Sequence, residues 1–368
     1  MTPEPSDTLE LPARPAVPDG DAAEAFAARI AAALDAGATA TLLSIGHRAG
    51  LLDSLAAMPP ATSAELAEAA GKVERYVREW LNGMVTARIV DYDAATRRYS
   101  LPAAHAACLT TGAALGNLAV YAQHVALLGK MEDTTLRLIA AGGGTSYGEY
   151  PCFHDIMSED SAQTVVAGLF DHIVPLADGL DGRLAEGIDV LDAGCGRGLA
   201  LMAMAERYPA SRFVGYDLCG DVTAAATAEA ARRGLRNVRF ERRDLTGYAE
   251  PGRWDLVTSF DAIHDQKDPA GLVRGIGTSL RPCGIYLVQD IGGSANVENN
   301  LYFPFATFLY AISLAHCTPV SIGQGGAGLG TMWGWETAEA MLGAAGFASV
   351  ERHVLPHDPM NVWFVARR

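Results

Sequence analysis

The chain has 368 residues, 49% of them hydrophobic and 19% charged, a balance that buries a large core and fills two domains or one large domain with an appendage. Its formal net charge of −15 argues against a nucleic-acid backbone or an anionic membrane as the main partner, because either would repel it, and leaves small molecules as the expected ligands. Six cysteines without Cys-x-x-Cys spacing suggest neither a zinc knuckle nor a disulfide framework, and fit a reducing, cytoplasmic compartment.

Residues 1–20 hold five prolines and several acids, a composition that predicts a disordered tail. Glu4, Asp7 and Glu10 stand where a signal peptide needs a basic segment followed by an apolar run. From Asp21 one helical pattern runs through Phe26, Ile30, Ala33 and Leu34, and a second through Leu42, Leu43 and Ile45 to Leu51 and Leu52. Thr62-Ser63-Ala64-Glu65 is a capping box, and residues 73–90 predict a longer helix with Val77, Trp80, Leu81 and Met84 on its apolar face. Short strands at 89–92 and 99–101 flank Asp93–Arg97 as a two-stranded wing, so residues 21–115 read as a winged-helix domain. Such a domain reads DNA or forms a dimerisation platform. Acids outnumber bases through residue 100, which favours a homodimer and no nucleic-acid partner. Residues 116–175 predict connecting helices with a loop at Gly142-Gly143-Gly144, followed by Tyr147, Tyr150, Phe153 and Met157 as pocket-lining or core residues.

An alternating βα pattern occupies residues 176–368. Its predicted strands are 189–191, 212–216, 238–242, 254–260 and 285–290, with helices at 198–208, 268–280 and 337–345. The last two strands, 348–355 and 360–366, form an antiparallel hairpin across Pro356-His357-Asp358-Pro359. The first strand runs into Asp192-Ala193-Gly194-Cys195-Gly196-Arg197-Gly198, whose glycines let the backbone approach a small polar ligand. This spacing is Asp-x-Gly-x-Gly-x-Gly, not the Gly-x-Gly-x-x-Gly dinucleotide pattern. At the next strand end Asp217 can accept both hydroxyls of a ribose. Asp244 follows the third strand, with an ion pair to Arg242 or Arg243 as its other reading.

In these motifs the chain resembles the class I S-adenosylmethionine-dependent methyltransferases. The resemblance implies an α/β fold, a Rossmann-like sheet with a closing antiparallel hairpin, preceded by a mostly helical winged-helix domain. It implies S-adenosylmethionine held by Asp192, Gly194, Gly196, Gly198, Asp217, Leu218, Asp244 and Leu245, with Phe260 and Asp261 flanking the sulfonium. The arrangement of the two domains is similar to that of small-molecule O-methyltransferases, in which the first domain forms the dimer and covers the site.

Ile263-His264-Asp265-Gln266-Lys267-Asp268 resembles the His-Asp-x-x-Asp segment of the plant enzymes, which makes His264 the expected base, with Asp290 or Glu336 as its acidic partner. Gln266 departs from the tryptophan common there. A long insert, from Ile291 to about Trp335, is expected to form a flexible lid over the acceptor. Its most apolar stretch, 301–320, is broken by Pro304, His316 and Pro319 and reads as a buried helix, not a membrane span. Asp265, His316, Tyr150, Phe153 and Trp333 are the expected acceptor-binding residues. The acceptor is a small, aromatic or carboxylated molecule, methylated on oxygen, nitrogen or activated carbon.

Two other readings stay open. His264, Asp265 and His316 match in order the metal-binding residues of bacterial α-keto-acid C-methyltransferases, which the chain also resembles, although Cys317 replaces an expected aspartate. The winged helix also suits a ligand-sensing transcription regulator.

Overall fold

The computed structural model describes residues 20–113 and 116–368. Apart from Gly20, the expected tail lies outside the described residues. The two helical patterns before residue 49 merge into one helix, α1 (Gly20–Arg48), because its alanine-rich middle holds no breaker strong enough to stop it. The stop comes at Gly50, whose φ of 72° is left-handed, and α2 (Leu51–Ala56) restarts behind it.

Helices α3 (Ser63–Ala70) and α4 (Glu74–Thr86) follow, and α3 carries the predicted capping box: Glu65 N donates to Thr62 Oγ1, and Thr62 N donates to Glu65 Oε2. The wing consists of β1 (Asp91–Asp93) and β2 (Arg98–Ser100), antiparallel, with Tyr92 opposite Tyr99. Arg98 Nη1 on the wing donates to Glu65 Oε2 at 2.8 Å, tying wing to helix. Leu52, Leu55, Leu66, Leu81 and Met84 fill the core between these elements. Trp80 seals it against α1 by donating to the Leu42 carbonyl at 2.9 Å.

Two further helices, α5 (Ala103–Leu109) and α6 (Leu118–Ala141), lead away from the wing, and α6 packs along α1. Helix α7 (Phe153–Ser161) continues into π-helical turns at Ala162–Val166 and Leu169–Ile173. Helix α8 (Leu180–Glu186) then delivers the chain to the sheet.

The sheet has seven strands: β3 (Asp189–Ala193), β4 (Arg212–Asp217), β5 (Val238–Arg242), β6 (Trp254–Phe260), β7 (Leu280–Ile291), β8 (Ser349–Leu355) and β9 (Asp358–Arg367). Their order is β5-β4-β3-β6-β7-β9-β8. The first five strands run parallel, while β9 pairs antiparallel with both β7 and β8. Val190 and Leu191, on opposite faces of β3, are both fully buried, as a strand covered by helices on two sides requires. Helices α9 (Leu199–Arg207), α10 (Gly220–Arg232) and α11 (Pro269–Ser279) connect the parallel strands. Strand order reverses at β3, so the crevice for a ligand opens above the carboxyl ends of β3, β4 and β6.

The segment after β7, expected as a flexible lid, is a packed wall. It forms α12 (Ala306–Ile312), a π-helical turn (Ser313–Cys317) and α13 (Thr318–Gly323), with Leu309, Ala315, His316, Cys317 and Val320 buried. Its glycine run is pinned down: Gly326 N donates to the Ser321 carbonyl at 2.9 Å, and Gly326 lies directly on the Lys267 backbone. The last helix, α14 (Trp335–Ala344), leads into the closing hairpin. Among the described residues, Gly20–Arg48 and Ala306–Gly323 are the two helical stretches long and apolar enough to cross a membrane; the second is partly buried in this wall.

Candidate active site

The cavity above β3, β4 and β6 is roofed by α6, α7 and the wall after β7. At its floor, Gly194 has a φ of 87° and Gly198 one of 69°. A side chain at Gly198 would come within 2.2 Å of the Phe240 ring, and one at Gly194 within 2.5 Å of Ala262 Cβ, so only glycine allows this close turn. Gly196 has open space before it, and its N–H donates to Asp217 Oδ2 at 2.9 Å. The other oxygen of Asp217 accepts from Cys219 N at 2.8 Å. The turn and the second strand end are thereby locked together.

Asp192 Oδ1 accepts from Thr258 Oγ1 at 2.8 Å; burial pushes its carboxyl up to about 7. Burial also raises Asp217, against the two N–H groups that favour its charge. Asp244 makes no ion pair with Arg242 or Arg243, which bond to the Leu218 carbonyl and to Glu250. Its carboxylate accepts from Thr246 N at 2.8 Å, which lowers its pKa. Leu218, Leu245, Phe260 and Asp261 complete this side of the cavity. Asp261 has a φ of 53°, a conformation a non-glycine residue adopts at a cost.

His264 is 2% exposed and reaches the cavity from the loop after β6. Its Nδ1 donates to Asp290 Oδ1 at 2.8 Å, and its Nε2 lies 3.4 Å from Asp265 Oδ1. Burial opposes charge on the ring, yet the carboxylates of Asp290 and Asp265 outweigh it and hold the pKa well above the ordinary histidine value. Of the two acids expected as partners, the fold selects Asp290. Glu336 turns away to accept from Ser294 Oγ and Ala295 N.

Asp290 is held in turn by Ile291 N at 2.8 Å and by Trp333 Nε1 at 3.0 Å. Trp333 therefore corrects an expectation: 7% exposed and packed into the core, it stands behind the dyad and does not line the cavity. Tyr150 is a second correction. Its hydroxyl donates to the Ala315 carbonyl at 2.9 Å and its ring packs on His316, so it buttresses the wall without facing the main cavity.

Phe153, Asp265 and His316 do line the cavity. Phe153 stacks on His316 at 3.9 Å, and burial pushes His316 down to about 4, a neutral ring. Asp265 Oδ2 accepts from Tyr147 at 3.1 Å. Among the described residues two sets of possible ligand atoms include His264, each with its atoms within 4.8 Å of one another: His264, Asp265 and Cys317, and Asp261, His264 and Asp290; His316 belongs to neither. The Cys317 thiol, pushed up to about 12 by burial, accepts from Thr331 Oγ1. The two-histidine, one-carboxylate metal set therefore does not assemble. Tyr121 and His124 from α6, Asp160 from α7, Gln289 and Asn361 also reach the cavity. No motif marks them: a polar residue on a helix face reads as solvated, and Gln289 and Asn361 are single polar residues within strands.

Residues 37–111 match the family model of the Rv2258c-like winged helix-turn-helix domain, and residues 184–312 that of the methyltransferase domain. Residues 184–312 are accordingly a methyltransferase domain, joined to a winged helix-turn-helix domain. Among curated relatives, the nocamycin O-methyltransferase of Saccharothrix syringae is 43% identical over 100 residues, 27% of this chain and 36% of that protein. The chain spans about a third to a half of the length of the curated relatives it matches.

Two solved structures are similar over nearly the whole chain. Mitomycin 7-O-methyltransferase is 20% identical, covering 95% of this chain and 100% of its own, with a TM-score of 0.67. Human N-acetylserotonin methyltransferase, in complex with SAM, is 16% identical, covering 93% of this chain and 97% of its own, with a TM-score of 0.68. At these identities the likeness is one of fold.

Proposed function

We propose that this methyltransferase transfers the methyl group of S-adenosylmethionine to a hydroxyl of a small aromatic acceptor. The observation that carries the reading is a single cavity that joins the glycine turn, Asp217 and Asp244 to the His264–Asp290 dyad. The residues fit the donor: Gly196 opens onto free space, and Asp217 and Asp244 stand at successive strand ends. Gly194, Gly196 and Gly198 would hold its amino-acid end, Asp217 its ribose and Asp244 with Leu245 its adenine. When bound, it supplies a methyl group activated by the positive sulfur.

The protein's own work is then alignment, exclusion of water and control of one proton. Asp290 orients the His264 ring through Nδ1, leaving Nε2 as the atom that takes the acceptor's proton. Phe153, Met157 and Phe308 supply apolar surface for an aromatic ring. A carboxylated acceptor loses support, because the two arginines on the cavity are already paired, Arg197 with Asp155 at 2.5 Å and Arg243 with Glu250 at 2.8 Å. The names of the relatives, O-methyltransferases among them, support oxygen as the receiving atom.

The same reading makes the protein a homodimer through its N-terminal helices, where α1 exposes Phe26, Ile30 and Leu34 at helical spacing. Asp91 and Asp93 on the wing speak against DNA as its partner. Incubation with methyl-labelled S-adenosylmethionine and a panel of phenols tests the function. Transfer of label to a phenolic oxygen is the expected result; no binding of S-adenosylhomocysteine and no transfer to any phenol would overturn it.

A further inference from the structure

At the carboxyl ends of β6 and β7 and the amino end of the antiparallel β9, the cavity wall carries Asp261, Gln289 and Asn361. Helix α7 adds Asp160, which feels the charges of Asp261 and Asp358. Four side-chain oxygens here, Asp160 Oδ1, Asp261 Oδ1, Gln289 Oε1 and Asn361 Oδ1, are shut off from solvent and accept no hydrogen bond. Gln289 is 2% exposed and Asn361 6%. The Asn361 amide is oriented by Asp358, to which its Nδ2 donates at 2.7 Å, so the oxygen is the end left over.

Buried oxygens without donors cost free energy, and two carboxyls among them cost more. Burial pushes Asp160 up to about 8 and Asp261 to about 7. No lysine lines the cavity, and both of its arginines are committed elsewhere. Beyond the His264 ring beside Asp261 and the Tyr121 hydroxyl beside Asp160, nothing among the described residues at this corner meets the oxygens, and a protonated primary amine supplies positive charge and N–H groups together.

Strand order places Gln289 and Asn361 away from the donor's turn. The glycines follow β3, and β6 and β7 separate β3 from β9. Asp261 also lies beside the dyad, with Oδ1 3.9 Å from His264 Nδ1. An amine held here therefore belongs to the acceptor, close to the base. Resting on the methyl-transfer reading, we propose that Asp160, Asp261, Gln289 and Asn361 form an amine subsite, so that the acceptor is an aromatic hydroxyl compound carrying a protonated nitrogen.

Calorimetric titration of the full chain tests this with S-adenosylhomocysteine and, in its presence, with tyramine and 4-ethylphenol, two phenols that differ by the amine. The wild type is expected to bind tyramine about tenfold or more tightly than 4-ethylphenol, the weight of charge-assisted hydrogen bonds. Asp160→Asn and Gln289→Leu erase that preference and leave S-adenosylhomocysteine affinity within about twofold. Because Asp160→Asn replaces a buried ionisable carboxyl by a neutral amide and Gln289→Leu removes an unpaired amide, each at similar size, the ligand-free variants melt no lower than the wild type. The subsite is overturned if the wild type shows no preference or if both variants keep it. Loss of S-adenosylhomocysteine affinity in place of tyramine affinity assigns the amine to the donor and overturns the acceptor assignment. Failure of the wild type to bind S-adenosylhomocysteine would instead bring down the methyl-transfer reading.

Discussion

His264 must be neutral to take a proton, yet Asp290 and Asp265 stabilise its charged form. The ring of the free enzyme therefore gives up its proton only above the ordinary histidine range. The acid limb of kcat/KM for the acceptor should accordingly lie above that range, activity rising with pH as the ring becomes neutral. Asp290→Asn removes the carboxylate that raises the ring, so the limb moves to lower pH while the maximal rate falls; pH–rate profiles of both proteins check the sign. His264→Ala is expected to lower kcat by about 10²–10⁴-fold with little change in S-adenosylhomocysteine affinity. Asp217→Ala should do the opposite, weakening S-adenosylhomocysteine binding, because its carboxylate also braces the Gly196 turn. A titration showing equal losses in the two variants would contradict this division of roles.

At the scale of elements, the wall after β7 explains how acceptor specificity is built. A π-helical turn places His316 and Cys317 side by side facing the cavity, an irregularity that turns two consecutive side chains inward. The wall is fastened to the His264 loop through Ser321 Oγ, which donates to the Gln266 carbonyl at 3.0 Å, and through Gln324 Nε2, which donates to the Asp265 carbonyl at 3.1 Å. Gly326 sits in this seam, where an added Cβ would lie 2.7 Å from both Lys267 Cα and the Ser321 carbonyl oxygen. Gly326→Ala should pry the seam apart, costing about 1–3 kcal/mol of stability. It should also raise the acceptor KM more than it changes donor binding. Thermal unfolding and steady-state kinetics measure the two effects.

On the scale of the whole molecule, α1 is the conspicuous unpaired surface. Phe26 is 54% exposed and Leu34 71%, on one face of a helix otherwise braced by α6. A second copy covering this stripe accounts for it better than solvent does. Leu34→Glu is expected to halve the molecular mass measured by sedimentation while leaving the methyltransferase fold intact by circular dichroism. An unchanged mass in the variant, or a monomeric wild type, would contradict the homodimer.

Much of the architecture was legible before any coordinates because it is written locally. Residues 238–242 and 254–260 are strands over those same bounds, since an apolar run between turn signals leaves little choice. The closing hairpin is where the sequence puts it, although its turn is only Pro356-His357 and Asp358 and Pro359 already belong to β9; the glycine turn follows from the left-handed conformations that glycine adopts readily. The acceptor side was not legible in this way. Asp290 and Glu336 are equal candidates in sequence, and only the pairing of β6 with β7 puts Asp290 behind His264. Trp333 reads as a pocket residue until packing turns its N–H onto Asp290, and Asp160 reads as a solvated helix residue until α7 folds over the sheet. The donor side is local, a strand, a turn and an acid repeated at neighbouring strand ends, and short-range rules specify it. The acceptor side also draws on residues more than 100 positions apart, such as Tyr147 and Asp265, and a contact at that separation exists only once the chain has closed around it.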